Sequence, residues 1–102
     1  MAPPTVLPKQ TDRFIKFEVT ADDIAAAPWP PLDRDNNRYN CPVAKAVKRA
    51  VSKSVSIGFG YADIYWVYGE RGVHYKHKYS GIIADWDNSG YMTPFSGVLE
   101  RE

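Results

Sequence analysis

The single cysteine, Cys41, stands just before Pro42 at the head of the run NCPVAKAVKRAVSK. A thiol at a helix start meets free N–H groups and the positive end of the dipole, both of which favour thiolate. With a histidine nearby it would be a nucleophile. No glycine-rich nucleophile turn or placed acid accompanies it, and free cysteines are commonly buried and inert, so a small apolar packing role is the reading adopted. His74 and His77 suggest a metal. Residues three apart in a strand point to opposite faces, and there is no CxxC pair, so solvated edge-strand residues are expected. Asp85-Trp86-Asp87-Asn88-Ser89-Gly90 matches the front half of a calcium loop, but the twelfth position is Ser96 in place of the clamping glutamate. A capped helix end explains the same residues. Gly58-Phe59-Gly60-Tyr61-Ala62 is similar to the aromatic motif of RNA-recognition domains, with Ile57 and Ile64 where a basic residue and an aromatic belong. Phe59 is expected in the core.

The cations form the more promising pattern. At about 100° per residue, Val43, Ala44, Ala46, Val47, Ala50 and Val51 fall on one side of a helix. Lys45, Lys48, Arg49 and Ser52 fall on the other, with Lys53 at the edge. No acid occurs from Asn36 to Ala62, a span that also holds Arg38. Helix faces that serve only solubility usually mix Glu with Lys to gain i,i+4 pairs. This one does not, so Lys45, Lys48 and Arg49 are expected to contact an acidic partner and to be replaceable without loss of the fold. The long loop Pro28–Tyr39 precedes the helix and offers Trp29 and Tyr39 as interface anchors.

These residues need elements to hold them. The residues 1–12, with three of the eight prolines, read as a flexible leader. Arg13 to Val19 alternates as a half-buried strand, and Thr20 caps a short helix, Ala21 to Ala27. After the basic helix, capped by Asn40, come strands Ser54–Phe59, Tyr61–Tyr68 and Val73–Tyr79, the last as a polar edge. Ile64, Trp66 and Tyr68 share one face of the second. A helix at Ser80–Asp87 with Ile82, Ile83 and Trp86 buried, and a strand Phe95–Leu99, complete the chain. Residues 13–102 are thus expected to form a single α+β domain, a mostly antiparallel sheet packed by one amphipathic helix and short accessory helices.

Net charge is +1, so overall charge names no partner. A single cysteine excludes an internal disulfide, and no apolar run suits a signal peptide or a membrane span. A cytoplasmic protein without cofactor or metal is expected.

VTADDIAAA at 19–27, CPVAKAVKRA at 41–50 and the DWDNSG–TPF pattern at 85–95, in that order, resemble small accessory proteins of bacteriophages and other bacterial mobile elements. The resemblance implies a bacterial host setting and an accessory role such as that of anti-CRISPR inhibitors, and it transfers no catalytic residue. Two functions compete. One is a non-enzymatic protein that docks on a host protein or nucleoprotein complex through Lys45, Lys48, Arg49, Lys53, Arg38, Trp29 and Tyr39. The other is direct nucleic-acid binding, with Lys45, Lys48, Arg49 and Lys53 on phosphates and Tyr61 or Tyr65 stacking on bases. An enzyme is disfavoured, because no nucleophile–base pair, carboxylate pair or phosphate loop is visible.

Overall fold

The computed structural model describes residues 7–27, 29–30 and 39–102. Its elements run β1 (Phe14–Val19), α1 (Ala21–Ala26), α2 (Pro42–Val51), β2 (Ser54–Ile57), β3 (Tyr61–Tyr65), β4 (Val73–Lys76), α3 (Ser80–Ser89) and β5 (Phe95–Arg101). The strands form one curled antiparallel sheet in the order β1-β5-β4-β3-β2. The chain is an α+β domain as expected, but the edges are not where expected. The last strand, β5, sits between β1 and β4, so β4 is internal and β1 and β2 are the edges.

Alternation decides which face of the sheet is covered. Ile15, Phe17 and Val19 of β1 point inward with Val55, Ile64, Tyr75 and Leu99, and all are buried. Helix α2 lies against this face and touches both edge strands, β1 and β2. Val43, Val47 and Val51 are its buried stripe, each worth about 1.5–3 kcal/mol when removed from water. Ile83 and Trp86 of α3 join the same core. Ile82 does not; it is exposed, as are Phe59 and Tyr68. The strands holding Phe59 and Tyr68 were expected to run further: β2 stops at Ile57 and β3 at Tyr65, which leaves both aromatics in turns.

The other face carries Phe14, Lys16, Glu18, Val98, Lys76, His74 and Tyr61, all exposed, so no described helix covers it. Several of its polar groups are paired across strands. Glu100 lies 3.3 Å from Arg13 and 3.7 Å from Lys76, and His74 lies 2.9 Å from Asp63 and 3.5 Å from Glu102. The end of the expected leader is anchored as well: Lys9 and Asp12 close a turn, and the Gln10 carbonyl accepts from Arg101 at 2.6 Å.

Candidate interaction surface

Helix α2 begins at Cys41, not Asn40. Cys41 has extended backbone angles and its Sγ accepts from the Ala44 N–H at 3.4 Å, while Pro42 fills a first-turn position that needs no donor. The thiol is buried. Burial pushes it up to about 11, against the lowering effect of the N–H groups of Ala44 and Val43, and Asp87 adds to the rise. It is therefore a buried cap and core residue whose burial disfavours the thiolate at neutral pH.

The cations on the outer side of α2 have unequal surroundings. Arg49 donates to both carboxylate oxygens of Asp23 and, at 2.7 Å, to the Glu18 carbonyl. Asp23 is buried and also closes the capping box of α1 with Thr20. Burial alone would raise its carboxyl; the bonds from Arg49 and Thr20 outweigh that and hold it below the usual carboxylate range. Arg49 thus ties α1 and the edge of β1 to α2. The expectation that Arg49 is a replaceable surface cation is overturned, because its charge neutralises an interior one. Lys48 donates from Nζ to the Tyr39 carbonyl, and its pKa is lowered by burial first and by neighbouring Lys45 second. Lys45 is half-buried, has no ion-pair partner among the described residues, and lies one turn nearer the helix start. Lys53 is exposed beyond the far end of the helix. Arg38 and most of the Pro28–Tyr39 loop lie outside the described residues.

Trp29 and Tyr39 stand at the two ends of that loop. The Trp29 ring packs on Gly90 and its Nε1 donates to the Asp87 carbonyl at 3.4 Å. Gly90 has φ +74 and ends α3; a Cβ there would lie 2.8 Å from the indole, so both the backbone angle and the close ring demand glycine. Tyr39 is two residues before Cys41, and Cys41 feels the charge of Asp87. The start of α2 therefore lies within electrostatic range of the last turn of α3. Around this junction Trp29 is 45% exposed, Tyr39 40% and Tyr91 66%. Tyr91 is the residue that sequence reading missed. Its signal was its place one step after the glycine that ends α3, which turns the chain outward.

The remaining sequence candidates resolve into structure. His77 is buried: its Nδ1 accepts from the Tyr79 N–H at 3.0 Å and its Nε2 lies 2.8 Å from the Gly58 carbonyl, so it joins the β2–β3 turn to the start of α3. His74 stacks on Tyr61 on the open sheet face. Among the described residues, no three His, Cys, Asp or Glu side chains group to hold a metal. Asp85 and Asp87 lie inside α3, so the stretch is a helix with a left-handed cap and not an ion-wrapping loop. No helix among the described residues is long and apolar enough to cross a membrane. No family model, curated protein or solved structure matches the chain.

Proposed function

We propose that this chain is a non-enzymatic binding protein that docks on a partner protein, through the junction of α2 and α3, with Trp29, Tyr39 and Tyr91 as anchors and Lys45 and Lys48 beside them. In the mobile-element setting that its motifs resemble, the partner would be a host protein or nucleoprotein complex, as for a defence-system inhibitor. The observation that carries the reading is the exposure of Trp29 and Tyr91 on either side of Gly90 at the end of α3, together with exposed Tyr39, whose carbonyl holds Lys48 of the basic helix. Large aromatics contribute most interface energy and are otherwise kept from water. A protein partner is favoured over bare nucleic acid, because Arg49 is engaged by Asp23 and the cations left on the helix are few.

The test is a capture assay from host lysate with the parent and with Trp29→Ala/Tyr91→Ala, each checked by thermal melt. Loss of the captured partner in a variant that melts like the parent supports the reading. Capture unchanged in that variant contradicts it. A steep fall of affinity with salt would return nucleic acid to first place.

A further inference from the structure

Away from the aromatic junction, along the C-terminal half of α2, an open groove of about 670 Å3 runs where the helix meets the β1–β5 pair. Lys16, Glu18, Arg49, Tyr79, Ser96 and Val98 are among its walls. We propose that this groove binds a small carboxylate carried on an apolar stem.

The geometry begins with a missing strand. Strand β4 ends at Lys76, so β5 has no strand neighbour on that side at Val98. The Tyr79 hydroxyl takes the vacant position and accepts the Val98 N–H at 2.8 Å. Gly97 makes this approach possible, since a Cβ there would fall 2.4 Å from the Phe17 ring and 2.9 Å from the Tyr79 ring. With its oxygen accepting, the Tyr79 hydroxyl keeps a proton to donate, and no described residue takes it. On the opposite side of Val98, in register, stands Lys16, a cation with no ion-pair partner among the described residues. Cross-strand neighbours are about 5 Å apart, so the lysine side chain is long enough to extend over Val98 toward the hydroxyl.

Two donors on either side of an apolar floor suit the two oxygens of a carboxylate. Val98, on the same face as Lys16, supplies surface for an apolar stem. A monoanion fits better than a phosphate. Arg49 is already shared between Asp23 and the Glu18 carbonyl, and the Glu18 carboxylate would repel a second negative charge.

The experiment is an NMR titration of 15N-labelled full-length protein with 3-phenylpropionate and with its neutral amide, at fixed ionic strength. Saturable shifts confined to the amides of Lys16, Ser96, Gly97, Val98 and Tyr79 are expected, with the acid binding about tenfold more tightly than the amide, the range of one charge-assisted hydrogen bond. Lys16→Gln should abolish that preference and Lys16→Arg should keep it. Because Lys16 is exposed, both variants should melt like the parent. Equal binding of acid and amide, shifts centred elsewhere, no shifts at all, or a preference that survives Lys16→Gln would each overturn the proposal.

Discussion

The two halves of α2 carry similar cations for opposite purposes. In the C-terminal half, Arg49 is bound to the buried Asp23 and to the edge of β1, and its charge belongs to the fold. In the N-terminal half, Lys45 has no such partner; Lys48, although it shares the last turn with Arg49, gives only a backbone bond to Tyr39, whose ring remains exposed. A helical wheel places all three on one side. What separates them is whether an acid from another element has been buried beneath them. Thr20-Ala-Asp-Asp23 supplies that acid, because the capping box that starts α1 points the Asp23 carboxylate inward. A basic helix face therefore cannot be read as an interaction surface until the caps of the neighbouring helices are known.

The largest effect should come from the face that both halves share. Val47→Asp places an unpaired charge in the core and should unfold the domain, costing about 4 kcal/mol or more, read as loss of the helical signal at room temperature. Next is the contrast itself. Removing one partner of a buried pair costs about 3–5 kcal/mol; Arg49 is 52% exposed, so the discounted expectation for Arg49→Glu is about 2 kcal/mol. Lys45→Glu should stay within about 0.5 kcal/mol, as surface changes do. Equal melts for the two variants would erase the distinction between the halves.

Acid provides a second probe of the Arg49 half. The Asp23 carboxyl is held below its ordinary 3.8 in the folded state, so its contribution is full above that value and is lost as pH falls through the folded pKa. The stability difference between the parent and Asp23→Asn should therefore be largest above pH 3.8 and shrink below it. At the other end of the helix, Cys41 raised to about 11 from 9.0 predicts native alkylation at least about a hundredfold slower than in denaturant. The smallest effect concerns the C-cap. Ser52 sits at φ 55, where a Cβ is strained, so Ser52→Gly should stabilise by about 0.5–1 kcal/mol in a denaturant melt.

Local periodicity carried far in this chain. The alternation in FIKFEV, the Thr20 cap, the apolar stripe of α2 and the glycine after Ser89 all appear as expected. What failed depended on distance along the chain. β5 enters the middle of the sheet, which no local pattern in FSGVLER announces, and its insertion turned the expected edge strand β4 into an interior one. Phe59 and Tyr68 continue an apolar alternation on paper, but Gly60 and Gly69 take positive φ and turn the chain before either ring can pack. At the candidate surface, Trp29, Tyr39 and Lys48 were legible as types. The closeness of Trp29 to Tyr91 was not, because it depends on the Trp29 ring packing on Gly90 at the end of α3.

Hydrogen exchange on the protein bound to its captured partner tests the division most directly. Exchange should slow at 39–45 and 87–91, the start of α2 and the end of α3, while the amides around Arg49 and on the open sheet face from Phe14 to Tyr61 stay unchanged. Protection centred on that sheet face, or on the Arg49 half of the helix with none at 87–91, would contradict the account.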